Sequence, residues 1–129
     1  MNLKIISWNV RGLNNPQKRD NMKNLLKEWK CDVVCFQETK LDRANSFVVK
    51  SLWGIPFVDW EALDAIHTIG GVLLLWDKTV YEKIDSEVRC FSVSVLLKGV
   101  VDRFVWPCTR CMVRLLLALG MLCGQNLIV

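Results

Sequence analysis

Two strand-length apolar runs bracket an amphipathic segment at the front of this chain, and that pattern constrains the fold more than any other. Leu3, Ile5, Ile6 and Trp8 mark the first run, over residues 3–8. Gly12, Asn14, Asn15 and Pro16 then break it, and residues 9–16 read as a loop. Pro16 can open a helix, because the first turn has no use for the donor that proline lacks. Met22, Leu25, Leu26 and Trp29 follow at i, i+3, i+4 and i+7, one apolar helical face. Lys18, Arg19, Lys23 and Lys27 fall largely off that face and read as solvated surface. Residues 32–38 form a second run, apolar without alternation and so covered on both sides. A strand, helix, strand unit closes as a right-handed crossover with parallel strands. Parallel strands end at one sheet edge, so Asn9 and Glu38 are expected to emerge side by side. In open α/β sheets that carboxyl edge is where ligands bind.

Further along, residues 50–60 contain Gly54 and Pro56 and read as irregular with a short strand. Residues 70–76 form a strand entered through Gly70 and Gly71. Residues 88–97 read as another strand, and residues 104–106 as its hairpin partner, with Lys98 and Gly99 in the turn. The chain has 129 residues, 52% hydrophobic and 23% charged, which suits one globular domain and excludes disorder from low hydrophobicity. A net charge of +4 permits a polyanionic partner without requiring one. The apolar run at residues 115–123 is too short to span a bilayer, which needs about 20 residues. With no secretory signal readable, the expected compartment is reducing, nuclear or cytoplasmic, and the six cysteines are expected as thiols. Cys108 and Cys111 have the spacing of half a zinc site, but no second pair matches it.

Glu38 ends an apolar strand, where an isolated buried carboxylate is costly. Such a group must pair, reach water or bind a cation. The plain alternative is a carboxylate in solvent beside Lys40 or Arg11, and for Asn9 a turn-initiating Asn. Two oxygen-bearing side chains at one edge suit a hard cation such as Mg²⁺.

Residues 6–13, ISWNVRGL, and 35–40, CFQETK, resemble the first two motifs of the endonuclease/exonuclease/phosphatase (DNase I-like) superfamily. The WNVRGLN form, with IGGVLLLW at 69–76, looks most like the endonuclease of plant LINE-type (non-LTR) retrotransposon polyproteins. The resemblance implies an α/β fold, here a partial four-layer α/β sandwich: the N-terminal half with an incomplete second sheet. It implies that Glu38 binds a catalytic Mg²⁺, that Asn9 helps build the same site, and that the partner is DNA. Ser7, Trp8 and Arg11 are then structural neighbours, and Lys40 a possible phosphate contact. No membrane role and no further cofactor are implied.

The resemblance covers residues 1–106 and leaves 107–129 as a divergent tail. The family's later motifs are a Tyr in a VYGP-like stretch, a GDFN stretch and a terminal Asp-His pair. None is readable here: Tyr81 lies outside any such motif, and His67 precedes a strand where no base is expected. The expectation is therefore a truncated domain with negligible phosphodiesterase activity. The alternatives are a basic nucleic-acid-binding remnant or a fragment without selected function. With an incomplete second sheet, the strands at 32–38 and 70–76 are expected to expose apolar faces.

Cys111-Met112-Val113-Arg114 can be encoded as TGT ATG GTC CGT. Read one base earlier, behind a final G from the Arg110 codon, the same bases give Val-Tyr-Gly-Pro. The same offset over residues 120–127 permits Asp-Ala-Leu-Trp-x-Glu-Leu, which suits the segment after VYGP. A frame slip near residues 109–111 is the expectation, against a genuine amphipathic helix at 112–122. Sequencing the coding DNA is expected to find both stretches open in the neighbouring frame; a closed frame there discards the slip.

Overall fold

A computed structural model describes residues 4–66, 70–89 and 92–111. The tail readings for residues 112–129, and His67, lie outside the described residues.

The N-terminal unit is β1 (Ile5–Asn9), α1 (Pro16–Trp29) and β2 (Val33–Gln37). β1 and β2 pair in parallel, with Ile5 opposite Val33 and Asn9 opposite Gln37. α1 starts where proline permits: Asn15 caps it by accepting from Gln17 N at 2.9 Å, and Pro16 fills the first turn. It ends at Lys30, whose left-handed backbone (φ 51°) lets its N–H donate to the Leu26 carbonyl.

The stretch expected as irregular contains a helix, α2 (Ser46–Leu52), before strand β3 (Val58–Leu63). Asn45 caps α2 by accepting from Val48 N, and Val49 and Leu52 bury its inner side. Seven residues are too few for a visible helical period, so Gly54 and Pro56 dominate the sequence pattern. β4 (Val72–Asp77) pairs antiparallel with both β2 and β3, giving the order β1-β2-β4-β3.

A second, antiparallel sheet follows: β5 (Tyr81–Val88), β6 (Ser92–Gly99) and β7 (Val105–Cys111), in that order. β5 has no apolar alternation, because four consecutive residues after Tyr81 are exposed, and Val88 belongs to it rather than to β6. Its charged residues and its irregular register between Lys83 and Asp85 suit an edge strand. β6 and β7 do form the expected hairpin, but Lys98 and Gly99 stay in the strand and residues 100–104 make the turn. β7 runs across the point between residues 106 and 107 where the sequence pattern changes.

Two cores result. Strand alternation sends Val34, Phe36, Leu73 and Leu75 toward Met22 and Leu26 of α1 and Val49 and Leu52 of α2. It sends Val33, Cys35, Leu74 and Trp76 toward Val93, Val95, Leu97 and Cys108 of the second sheet. This corrects the expectation of exposed apolar faces: β4 is buried from Val72 to Trp76, because three strands suffice to cover it. The fold is mixed α/β, with helices packed on one sheet and a second sheet on its other face.

Arg19 corrects the reading of α1's basic residues as solvated. It is 9% exposed, donating through Nη1 to the Leu13 (2.8 Å) and Asn14 (3.1 Å) carbonyls and through Nε to Ser51 Oγ (3.0 Å). Carbonyls of the tight loop after β1 need donors, and the guanidinium supplies them while tying α1 to α2.

Cys31, Cys35 and Cys108 are free thiols. Burial pushes the Cys35 thiol up to about 12, against an ordinary 9.0, with the Arg110 charge acting weakly the other way. The folded chain thus keeps a proton that the unfolded chain releases. Stability from this group is complete below pH 9 and is lost as pH rises toward 12. Urea unfolding midpoints should stay flat from about pH 7 to 8.5 and fall above pH 9, and Cys35→Ala should show a shallower fall.

Candidate functional site

Hydrogen bonding continues past the ends of β1 and β2. Val10 N donates to the Gln37 carbonyl (3.0 Å), Gly12 N to Glu38 (2.7 Å) and Leu13 N to Thr39 (2.8 Å). On the other flank Thr39 N donates to Gly71 O (3.2 Å) and Lys40 N to Gly70 O (2.8 Å). Residues 38–40 are therefore clamped between the loop leaving β1 and the turn entering β4. Asn14 Nδ2 closes the clamp by donating to the Lys40 carbonyl at 2.7 Å.

The backbone inside this clamp is unusual. Arg11, Glu38 and Lys40 have φ of 53°, 54° and 56°, and Gly12, Gly70 and Gly71 are also positive. Left-handed residues without glycine cost energy and persist where surrounding contacts fix them. At Glu38 the turn ends the alternation of β2, so the carboxylate does not simply follow Phe36. Glycine is required at Gly71, where φ is +96° and a Cβ would lie 2.3 Å from Thr39 Oγ1 and 3.2 Å from Lys40 N.

Glu38 is only 7% exposed, so the alternative of a solvated carboxylate is set aside. Asn9 ends β1 opposite Gln37, one residue from Glu38, and remains exposed. Its Oδ1 accepts from Arg11 N at 3.2 Å, which is the turn-initiating geometry of the plain alternative for this residue. The two residues thus reach adjoining ends of neighbouring parallel strands. Lys18 is nearer the site than a surface lysine would be: its ammonium donates to the Val10 carbonyl and lies 3.5 Å from that of Arg11. Lys40 packs its stem over Gly12.

Ser7 and Trp8 are structural neighbours. Trp8 lies against Trp29 with ring centroids 5.5 Å apart, and Ser7 stands opposite Cys35 with its hydroxyl buried. Arg110 was missed. It is 9% exposed between the sheets near Cys35 and Cys108, with Nη1 donating to the Thr109 carbonyl and Nε without a partner among the described residues. The period-two pattern Trp106, Cys108, Arg110 carried the signal, obscured by the zinc-like cysteine spacing. Tyr81 opens β5 and meets Trp106 edge-on at 5.8 Å, away from any motif tyrosine role.

No three His, Cys, Asp or Glu side chains gather closely enough to hold a metal among the described residues. The donors present, one carboxylate and one amide oxygen, nonetheless suit Mg²⁺ in kind. That ion usually keeps several waters and takes one or two protein carboxylates.

A sequence model of the Endonuclease/Exonuclease/phosphatase family matches residues 6–109. A DNA-(apurinic or apyrimidinic site) endonuclease 2 of Schizosaccharomyces pombe is 36% identical over 47 residues, covering 32% of this chain and 9% of that protein. An exodeoxyribonuclease of Bacillus subtilis is 44% identical over 39 residues, covering 30% of this chain and 16% of that protein. The crystal structure of the AP endonuclease LMAP from Leishmania major superposes with a TM-score of 0.64 at 17% identity. That superposition covers 86% of this chain but only 40% of the Leishmania chain. These matches span less than half of each relative's length.

Gly71→Ala should cost about 2–3 kcal/mol in urea unfolding, because it combines positive φ with a backbone contact. Gly54→Ala is the control and should cost under about 0.5 kcal/mol, since only the flexible end of Lys23 opposes it.

Proposed function

The chain belongs to the Endonuclease/Exonuclease/phosphatase family, and from that premise we propose that it carries the first part of a metal-dependent DNA-cleaving site. Glu38 is the carboxylate that would hold Mg²⁺, with Asn9 beside it. When bound, that ion supplies charge stabilisation to a phosphodiester and its leaving oxygen. The observation that carries this reading is a buried carboxylate at a clamped, left-handed turn on the carboxyl edge of parallel strands. A left-handed turn held in place by hydrogen bonds from both flanks is the kind of backbone that clusters at functional sites.

The chain's own residues prepare the site more than they complete it. The clamp fixes Glu38, Asn9 shapes the loop after β1, and Lys18 and Lys40 add positive charge near the edge where a phosphate would approach. Phosphodiester cleavage also needs a group to activate water and donors for the transition state, and such groups act as a unit. The stretches that would supply them, a VYGP-like Tyr, GDFN and an Asp-His pair, are not readable in this sequence. The reading is thus the first part of an endonuclease domain, inactive by itself. The WNVRGLN and IGGVLLLW stretches support descent from a plant LINE-type retrotransposon. DNA is the proposed partner, met in the nucleus or cytoplasm; no helix among the described residues is long and apolar enough to cross a membrane.

A second reading is weak, sequence-blind nucleic-acid binding through Lys and Arg, favoured by the charge of +4. Three measurements separate the readings. Mn²⁺, read by electron paramagnetic resonance, should bind weakly and lose that binding in Glu38→Gln. Supercoiled plasmid with Mg²⁺ should remain un-nicked. Nicking that vanishes in Glu38→Ala would overturn the inactivity, and Mn²⁺ binding unchanged in Glu38→Gln would remove the metal role. Steeply salt-dependent DNA binding, indifferent to Glu38, would favour the second reading.

A further inference from the structure

A cleft of about 440 Å³ opens at the edge of the first sheet opposite Glu38. It lies between the last turns of α1, Cys31 at the approach to β2, residues 53–56 after α2, and Asp77 at the end of β4. Its volume is in the range of small-molecule sites, roughly 300–1,000 Å³. We propose that this cleft binds a small organic anion: an apolar ring or chain bearing one carboxylate, phosphate or sulfonate head.

The floor is apolar, formed by Leu26, Trp53, Ile55 and Pro56. Burial pushes the Cys31 thiol up to about 11, so it stays neutral at physiological pH and adds to that apolar lining. The rim is cationic. Lys23 and Lys27 line it at i and i+4 on one side of α1, and Lys30, the left-handed residue that ends the helix, joins them. Lys23 lies across Gly54, where a Cβ would come within 2.6 Å of its Cε, so the absence of a side chain there gives the ammonium its place.

One acid, Asp77, faces these three lysines. Its Oδ1 is occupied by Thr79, accepting from the backbone N at 2.8 Å and the hydroxyl at 2.7 Å. Among the described residues, no carboxylate is paired with Lys23, Lys27 or Lys30; Lys83–Glu61 and Arg89–Glu87 pair elsewhere. The C-terminal pole of α1 points here and carries partial negative charge, which the lysines outweigh. A nucleic-acid backbone would use the ammoniums and leave the apolar floor empty; a small amphiphilic anion uses both. The site rests on none of the residues assigned to DNA cleavage, so it stands or falls separately.

The test is isothermal titration calorimetry of the whole chain with anilinonaphthalene sulfonate and its uncharged analogue N-phenylnaphthylamine. The sulfonate should bind at one site. Lys27→Gln with Lys30→Gln should weaken it about tenfold while moving the neutral analogue less than about twofold. The control pair Arg43→Gln with Lys50→Gln, exposed and not among the residues that line the cleft, should leave both probes unchanged. Gly54→Phe, checked for folding by its urea midpoint, should abolish both; if it fails to fold, the lysine pairs still decide. Equal weakening by the two charge pairs would reduce the effect to net charge and overturn the proposal. So would absent saturation by the sulfonate, or displacement by a thymidine oligonucleotide at lower concentration than by decanoate.

Discussion

The hydrogen bonds that flank residues 38–40 are the constraint on which the candidate site depends. Parallel pairing of β1 with β2 brings Asn9 level with Gln37, and the chain then stays joined beyond the regular strands through Gly12 and Leu13. The antiparallel arrival of β4 adds the carbonyls of Gly70 and Gly71 on the other side. Glu38 is thus fixed by backbone from two neighbours. A buried carboxylate in a left-handed turn survives only with that kind of support, because neither burial nor conformation favours it alone.

The two cores explain why the edge is rigid. β2 and β4 lie in the middle of the first sheet and are covered on one side by helices and on the other by the second sheet. Alternation along each strand feeds both interfaces, so neither strand can slip by one residue without exchanging its two faces. Two buried arginines are the exceptions to this apolar filling. Arg19 has its Nε and Nη1 donors taken by Ser51 and loop carbonyls, whereas Arg110 keeps its Nε without a partner among the described residues. The first is a structural tie. The second places a charge between the sheets near Cys35, where a guanidinium is costly to bury.

Opposite poles of the first sheet have different chemistry. At one, a carboxylate and an amide meet a strained backbone; at the other, three lysines ring an apolar hollow. The sheet itself separates them, since β2 begins two residues after Cys31 at the cleft and ends just before Glu38 at the clamped edge. The role proposed for the first pole starts from family membership. The second is a property of this chain's own α1 and of Gly54, and the sequence pattern presents Lys23 and Lys27 as ordinary surface.

Local pattern determined the parallel β1-α1-β2 unit, the Pro16 start of α1, the glycine entry to β4 and the β6–β7 hairpin, because each depends on neighbours in sequence: apolar spacing, a proline, a pair of glycines. Local pattern also named Asn9 and Glu38 and supplied the motifs of the family. It did not reveal α2, too short for a period to show, or β5, an edge strand with charged rather than alternating residues. Nor did it reveal that β4 would be covered on both faces, that Arg19 and Arg110 would turn inward, or that Glu38 would leave solvent. Those outcomes belong to tertiary structure, since burial and hydrogen-bond satisfaction are set by which distant segments arrive, and a residue's own neighbours do not carry that information.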